Sequence, residues 1–326
     1  MVDATGRIVR EAKLASEPEA LVAWFRGLGC EIVRVGLEAG PLSQWLYAAL
    51  RDAGLAVELL ETRHVRDAFK AMPVKTDRND ARGIAPLMRL GWFRPVHGKS
   101  VPAQETRAVL TARKLLQTKH HDVEMSRRGV LRGFGLKVGP TTARSFAGRI
   151  RELVGGHPML TAVAEALLAA RDVLGEPLRG LDKRLCKQAR EDNRARPLMS
   201  TPGVGVIVAL SVSAAVDDPW RFRASMRVGA QFGLTPRKYP SGETDVTGRI
   251  SKIGDAGVRT ALYEATNVIL TRPVKGSELK SWAARLAKRA GMRKAKVALA
   301  RKLAVVLHRM LKDSRPFAAS RAAAGA

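Results

Sequence analysis

Residues 31–46 read EIVRVGLEAGPLSQWL, and the change of pattern inside this stretch decides the class of fold. Apolar side chains alternate with polar ones around Val35, which is typical of a β-strand that packs one face on a core. The alternation stops at the Gly-Pro pair, and Pro41 suits the first turn of a helix. We therefore predict a strand over residues 31–38, followed by a helix.

Strands and helices alternate on both sides of this stretch. Further strands are predicted over residues 7–14 and 55–61, and helices over residues 17–28 and 76–90. Thr76 is the expected N-cap of the last helix, since a threonine hydroxyl accepts a hydrogen bond from the free N–H groups of a first turn. This alternation predicts an α/β layer with parallel strand pairs over residues 1–100.

The middle of the chain has another pattern. Residues 101–196 contain two long helical stretches, near 103–132 and 160–194, separated by a segment rich in Gly and Pro. The apolar stripe on the first stretch is partial, so a coiled-coil arm and a helical bundle both fit it. Residues 197–315 form a further predicted domain, mainly helical, and the Ala-rich residues 316–326 are expected to be a disordered tail.

Positive charge is concentrated away from the N-terminus. The chain carries 57 Lys and Arg against 30 Asp and Glu, for a net charge of +27. The first sixty residues hold more acids than bases, so the whole excess lies after them. So many like charges repel one another in a folded protein, and a polyanionic partner is the natural explanation for them. The charge therefore predicts nucleic-acid binding.

Several classes of protein are disfavoured by composition. Only Cys30 and Cys186 occur, with no paired spacing, so a thiolate metal site and a disulfide framework are both excluded. The sequence has neither a long apolar run nor a signal-peptide pattern. We expect a soluble protein of the reducing cytoplasm.

Three carboxylates are candidate metal ligands. Glu38 ends a predicted strand, where open α/β sheets place their sites. Asp77 and Asp80 lie three residues apart in KTDRNDAR and share a helix face. Together they could hold Mg²⁺, which prefers oxygen ligands and shares them with substrate phosphate. Alternatively, the two aspartates only complement the helix dipole. The neighbouring cations are candidate nucleic-acid contacts: Lys75, Arg78 and Arg82.

A segment of the C-terminal domain offers a candidate nucleophile. Residues 233–255, GLTPRKYPSGETDVTGRISKIGD, are rich enough in Gly, Pro, Ser and Thr to predict a long loop without regular structure. Ser241 lies at a Pro-Ser-Gly turn within it. A cationic field can activate a serine and neutralise an attacked phosphate, although Ser-Gly is also common turn chemistry. The cations of this segment are Arg237, Lys238, Arg249 and Lys252.

Two other C-terminal features fit phosphate binding. TPGVGVIVALSV, residues 201–212, is similar to the hairpin of a helix-hairpin-helix, or is a bare turn before an apolar helix. Residues 281–315 carry eleven bases and one acid interleaved with apolar residues, which predicts an amphipathic basic helix.

These motifs together resemble the DEDD transposases of bacterial insertion sequences, a group also described as bridge-RNA-guided recombinases. VGLEAGPLSQWL (35–46) resembles the stretch around the family's second acidic residue, and KTDRNDARGIAPLMRLGWF (75–93) resembles its third and fourth. LMSTPGVGVIVALSV (198–212) and the following residues 217–265 resemble its C-terminal domain. In this resemblance Ser241 matches the catalytic serine.

The resemblance implies a fold and a chemistry. It implies a RuvC-like (RNase H-like) N-terminal α/β domain, a coiled-coil arm and a C-terminal serine domain. It also implies Mg²⁺ bound by Glu38, Asp77 and Asp80, DNA ends as substrates, and a structured guide RNA. Ser241 would form a transient covalent bond to DNA in a site that both domains build. Recombination joins two ends, so a dimer or tetramer is expected.

One feature departs from the family pattern. The family's first aspartate lies on an opening strand, and this sequence begins at the turn that follows it, so the domain is expected to lack that strand and that acid. The expected cause is a start assigned too late or a decayed copy. Two alternatives to a recombinase therefore stay open: an inactive DNA- and RNA-binding remnant, and a two-metal nuclease without a covalent step.

Overall fold

A computed structural model describes residues 1–70, 76–241, 244–273 and 277–318, with the backbone alone for residues 240, 241 and 244. The chain is mixed α/β, and helices predominate over a few short strands. It divides into two compact units, Met1–Ser100 and Val101–Ala326.

The N-terminal unit is built on a three-stranded sheet. Its strands are β1 (Val35–Glu38), β2 (Val57–Leu60) and β3 (Pro95–Val96), and its helices are α1 (Pro18–Arg26), α2 (Ser43–Asp52), α3 (Thr62–Ala68) and α4 (Asp77–Leu90). β1 and β2 run parallel, and β3 is antiparallel to β2. The predicted parallel pair is therefore confirmed, with α2 as the crossover between the two strands.

Burial explains where the strands begin and end. Leu59 and Leu60 are fully buried on β2, and Val35 is buried where β1 begins. Val33, two residues earlier, is 73% exposed, so the predicted strand over residues 31–38 is shorter than expected. Helix α3 was not predicted.

The predicted strand over residues 7–14 is wrong. Only one isolated bridge forms there, between Val2 and Ile8, across a turn in which the Asp3 carboxylate accepts hydrogen bonds from the Thr5 and Arg7 N–H groups. Val9 is 58% exposed. A strand is stabilised by a neighbouring strand and by packing on a core. In the described unit this segment has neither, and its own sequence pattern cannot show that.

The C-terminal unit begins with a helical pair. Helix α5 (Val101–Gly133) packs along α7 (Pro158–Glu191), and the short helix α6 (Phe146–Val154) closes their end. A small core there includes Leu131, Ile150 and Leu168. The side chains of Arg127, Arg128 and Arg171 converge on the ring of Phe146. The two predicted helical stretches are confirmed, as a hairpin with its own tip.

The remaining elements form the main core of this unit. They are α8 (Ala195–Leu198), α9 (Val206–Val216), a 3₁₀ turn (Pro219–Arg221), α10 (Arg227–Gln231), β4 (Pro236–Ser241), β5 (Thr244–Ile250), α11 (Ala256–Thr271), α12 (Glu278–Ala290) and α13 (Met292–Asp313). Helix α5 joins this core through an ion pair between Arg107 and Asp255, the N-cap of α11. Burial alone would raise the pKa of Asp255, but the Val258 N–H and the Arg107 guanidinium hold that pKa below its usual range.

Two glycines test the predictions for the turn before α9 and for the basic C-terminal helix. Gly203, in the turn before α9, has a φ of +78°, and a Cβ there would lie 2.7 Å from the Ala265 carbonyl oxygen. Close packing against α11 therefore explains this glycine without any phosphate. Gly291, with a φ of +86°, divides the predicted basic helix into α12 and α13, so the expectation of one helix is wrong.

The prediction that residues 233–255 lack regular structure is also wrong. They contain the antiparallel hairpin of β4 and β5, with Pro236 opposite Ile250 and Ser241 opposite Thr244. On β5 the strand-favouring residues Thr244, Val246 and Ile250 fall on alternate positions, and Tyr239 of β4 pairs with Val246 across a two-residue connection that begins with glycine, which is a hairpin pattern. The richness in Gly, Pro and Ser concealed this alternation.

Candidate active site and nucleic-acid interface

Glu38 lies where the parallel strands end. It is the last residue of β1, half-buried and in register with Leu60 of β2. Beyond it the Ala39 N–H donates to the Leu60 carbonyl, and the Ala39 carbonyl accepts from the Thr62 hydroxyl at 2.8 Å. These bonds hold the carboxyl end of the strand in place. The predicted position of this carboxylate in the fold is therefore observed.

Helix α4 packs against β1, with the C-terminal half of the helix beside the start of the strand. The Arg34 guanidinium donates to the Met88 carbonyl at 3.4 Å. Two residues later, a Cβ on Gly36 would approach Met88 and Ile84, at 2.7 and 3.1 Å. Because Glu38 lies two residues beyond Gly36, we expect it nearer to the first turns of α4 than Gly36 is.

Those first turns carry the two candidate aspartates. The Thr76 hydroxyl accepts from the Asn79 N–H at 3.1 Å, so the predicted N-cap is observed. Asp77 and Asp80 follow in the first turn. Asp77 is exposed and lines a cleft of about 1040 Å³ between α4 and the N-terminal segment, whereas Asp80 is partly buried.

The donor chemistry of this region fits Mg²⁺. Among the described residues no three acidic, His or Cys side chains are grouped as a ready-made metal site. Mg²⁺ does not require such a group, because it is commonly held by one or two carboxylates, with water and substrate phosphate completing its shell. Glu38, Asp77 and Asp80 supply carboxylates of that kind on neighbouring elements.

Glu11 was not anticipated as part of this region. Its carboxylate accepts from the Arg78 guanidinium at 2.7 Å and pairs with that of Arg82 at 2.5 Å. The two hydrogen-bonded guanidinium groups lower the pKa of Glu11 to about 2. Two of the predicted nucleic-acid contacts are therefore paired with an acid on the N-terminal segment, and its single charge offsets one of their two positive charges. Lys75, the third, lies outside the described residues.

In the C-terminal unit, Ser241 stands at the tip of the β4–β5 hairpin. It is the last residue of β4 and pairs with Thr244 across the two-residue connection. Arg237, in contrast, is near the base, where its guanidinium donates to the Ser251 carbonyl at 3.3 Å. Four residues along a strand span about 13 Å. The predicted cations therefore do not surround the serine within this hairpin.

The other three cations are spread along the hairpin. Lys238 is exposed and faces Asp245 across the strands, at 3.9 Å. Arg249, near the end of β5, and Lys252, just beyond it, line a groove instead. Their phosphate contacts would therefore lie toward the base of the hairpin.

The base of the hairpin is locked by two close backbone approaches. Gly233 has a φ of +67°, and a Cβ there would lie 2.3 Å from the Ile253 carbonyl oxygen. Gly254 has a φ of +96°, and a Cβ there would lie 2.0 Å from the Gln231 carbonyl oxygen. In addition, the Lys252 N–H donates to the Gly233 carbonyl. This lock fixes the direction in which the hairpin leaves the core.

We expect Gly254→Ala to lower the free energy of unfolding of the C-terminal unit by about 3 kcal/mol or more, since it combines a positive φ with a backbone clash. Gly180→Ala is the matched control, because Gly180 lies within α7 and a Cβ there would meet no other part of the fold within 4 Å. That change should stabilise by about 1 kcal/mol. Urea unfolding of both variants measures the difference, and equal stabilities would contradict the lock.

A groove runs beside this base, and we call it the α13 groove. Its volume is about 1030 Å³, and it lies between the end of β5 and the first half of α13, with Trp282 of α12 at its side. Leu234 and Val305, both buried, belong to its apolar floor. Among the described residues, those with charged side chains that line it are all cations: Arg249, Lys252, Arg293, Lys294, Arg301 and Lys302.

Comparisons with known families cover both units. Residues 1–134 match the model of the IS110-type DEDD transposases, and residues 195–281 match that of the transposase IS116/IS110/IS902 family. The chain belongs to this transposase family. The first match contains Glu38, Asp77 and Asp80, and the second contains Ser241. The family resemblance identified from the sequence is confirmed.

Individual transposases are similar over most of their length. The transposase for insertion sequence element IS1111A of Coxiella burnetii is 29% identical over 315 residues, which cover 95% of this chain and 85% of the relative. A probable family 20 transposase of Pseudomonas aeruginosa is 27% identical over 85% of this chain and 83% of its own. These likenesses support the function of an insertion-sequence transposase, a class that binds DNA and recombines it.

Within the part of the chain that the structure describes, none of the helices is both long and apolar enough to cross a lipid bilayer.

For this DNA-binding transposase, Glu11→Gln should tighten the binding of DNA by about three- to tenfold at low salt, because it frees two guanidinium groups for phosphates. The low pKa of Glu11 means that its ion pairs are present from pH 4.5 upward and are lost only as the pH falls toward 2. Their effect is therefore complete at neutral pH. Fluorescence anisotropy with a labelled duplex measures it.

Glu19→Gln is the matched control for Glu11→Gln. Glu19 is an acid in the first turn of α1, and removing it changes the net charge of the same unit equally. A gain in affinity that is the same for both variants would show that only net charge matters. A larger gain for Glu11→Gln, with a steeper dependence on salt, is the expected result.

Proposed function

We propose that this transposase cuts and rejoins DNA strands through Ser241, with Mg²⁺ held by Glu38, Asp77 and Asp80. The observation that carries the proposal is the position of Ser241 at the tip of a hairpin whose base is locked by Gly233 and Gly254. A nucleophile must be held within a small distance of the attacked atom. A paired hairpin that is fixed at its base meets this requirement better than the loop expected from composition.

The proposed step is an exchange of phosphodiester bonds. The Ser241 oxygen attacks a DNA phosphorus atom, a bond forms between them, and one deoxyribose oxygen leaves with a proton. The serine proton passes to a base, and the reverse attack by a hydroxyl of another strand releases the serine. The number of phosphoester bonds is conserved, so no external energy source is needed. When bound, Mg²⁺ would stabilise the charge that develops on the phosphate.

The carboxylates and Ser241 belong to different units of the chain. We propose that the N-terminal unit has a RuvC-like arrangement, on the support of its parallel strand pair and the carboxylate at the strand end. The α5–α7 hairpin then serves as the arm. Because strand exchange joins two DNA ends, the active species is proposed to be a homo-oligomer, a dimer or a tetramer.

A structured guide RNA is the remaining proposed partner. The net charge of +27 supports the binding of more nucleic acid than one short DNA site. In the C-terminal unit, cations also line the α13 groove. Such a surface binds RNA and DNA phosphates alike.

The test is strand exchange by the purified transposase. Labelled element ends, a target duplex, Mg²⁺ and RNA transcribed from the sequence beside the gene are combined, and the products are resolved with and without denaturation. We expect recombinant strands and a protein–DNA adduct that resists denaturation. Salt-sensitive binding with no cleavage at any Mg²⁺ concentration would instead identify an inactive binding protein, and cleavage without an adduct would identify a nuclease.

A further inference from the structure

The α13 groove combines two properties that a surface for duplex phosphates does not need together. Six cations line it, and among the described residues that line it there is no acid. Its floor, however, is apolar and concave. A flat array of lysines and arginines is sufficient to bind phosphates, since that attraction depends on charge alone. The apolar, concave floor is therefore complementary to a ligand that also has apolar faces.

We propose that the α13 groove binds unpaired nucleotides of a nucleic-acid strand, with the bases on the apolar floor and the phosphates against the cations. Unpaired bases expose flat apolar faces that pack on aromatic and apolar side chains, while basic residues follow the backbone. The complementary charge and the apolar floor together select this class of ligand. An acidic peptide would satisfy the cations, but its carboxylate side chains would place no apolar faces on the floor.

Trp282 supplies an aromatic ring at the side of the groove. The ring is partly buried, and the Lys302 ammonium lies 4.8 Å from its centre. A tryptophan beside a cation is a combination that recurs where proteins stack bases and neutralise the adjacent phosphate. Trp282 is the one aromatic side chain among the described residues that line the groove.

The dimensions favour a small number of nucleotides. A volume of about 1030 Å³ is at the upper end of the range of clefts that enclose small ligands. A base pair within a duplex is stacked on both faces and offers only its edges, so it cannot place a base face on the floor. Strands are unpaired where a junction opens or where a folded RNA has loops.

This inference does not depend on the proposed chemistry. It requires neither Ser241 as a nucleophile nor a metal ion, and binding can be measured in EDTA with the Ser241→Ala protein. Failure of strand exchange and failure of base binding are therefore distinguishable.

The experiment compares oligonucleotides that differ only in their bases. Fluorescence anisotropy gives the affinity of the full chain for a single strand of mixed sequence and for a strand of equal length in which consecutive central residues are abasic. The phosphates are the same in both, so the ratio of the two affinities reports base contacts. We expect at least about a tenfold preference for the strand with bases. DNA and RNA versions of each strand identify the source of the ligand.

Filling the groove should remove this preference. Ala298 lines the groove on α13, and Ala298→Phe fills the floor without changing a charge. The expected result is a ratio near one, with the affinity for the abasic strand unchanged. Ala284→Phe is the matched control, because Ala284 is exposed on α12 and does not line the groove. A tenfold ratio retained in Ala298→Phe would overturn the proposal, as would a ratio of one in the wild type.

A second measurement does not depend on the folding of any variant. A single strand with 4-thiouridine is irradiated with the unaltered chain, and the crosslinked peptides are identified by mass spectrometry. We expect crosslinks at Trp282 or within residues 293–305. Crosslinks confined to the α5–α7 hairpin or the N-terminal unit would place unpaired bases elsewhere and contradict the inference.

Discussion

Ser241→Ala should abolish both strand exchange and the covalent protein–DNA adduct, by at least about 10³-fold in rate. Loss of a nucleophile removes the bond-forming atom itself, so no neighbouring group can compensate for it. DNA affinity should stay within about twofold, because the change removes no charge. Single-turnover strand exchange and denaturing gels of the adduct measure the two expected losses.

Ser251→Ala is the matched control for this prediction. Ser251 lies beyond the other end of the hairpin, where its hydroxyl accepts from the Ile253 N–H at 3.3 Å. It is a second serine of the same segment, but it is at the base and not at the tip. Strand exchange at the normal rate in Ser241→Ala would show that the nucleophile is wrong. Equal losses in both variants would indicate damage to the hairpin and not the loss of a reacting atom.

The sequence predicted the elements that are stabilised by residues close to them along the chain. Alternation around Val35 located β1, a threonine followed by an acidic first turn located α4, and apolar periodicity located the two long helices. Thr76 caps α4 as expected. Each of these signals depends on neighbours within about one helical turn or along one strand. The α/β class and the helical middle of the chain followed from them.

Elements that depend on distant partners were not predicted. The expected strand over residues 7–14 was wrong because nothing in its own residues reports whether a neighbouring strand exists. The hairpin at Ser241 was missed although its stability is local. Its strands stabilise each other across a two-residue connection, whereas the composition of the whole segment suggests a loop.

The roles of the candidate site residues stay predictions, and the structure adds where these residues lie. Glu38, Asp77 and Asp80 were selected from strand-end and helix-start positions, and the fold brings their elements together. The pairing of Glu11 with Arg78 and Arg82 joins positions about seventy residues apart in sequence. No spacing rule reports such a pair. Likewise, the lock at Gly254 depends on the Gln231 carbonyl, and a glycine in a glycine-rich segment does not reveal which backbone it approaches.

The carboxylates provide the second large expected effect. Asp77→Asn and Asp80→Asn should each lower the rate of DNA cleavage by about 10²-fold or more, because a group that holds a metal ion contributes most in the transition state. Asparagine keeps the size and one oxygen, so helix α4 should still form. A titration of the cleavage rate with Mg²⁺ should show half-saturation at a higher concentration in both variants. DNA binding in EDTA should not weaken.

This experiment separates a metal role from the helix dipole. If the aspartates only complement the dipole of α4, each substitution should lower stability by about 0.3–1 kcal/mol and leave the Mg²⁺ dependence unaltered. Asp67→Asn is the matched control, since Asp67 is an exposed acid on α3 of the same unit and pairs with Lys70. Removing its charge should not move the Mg²⁺ midpoint. A shift that is the same in all three variants would show that general electrostatics, and not ligation, sets the metal dependence.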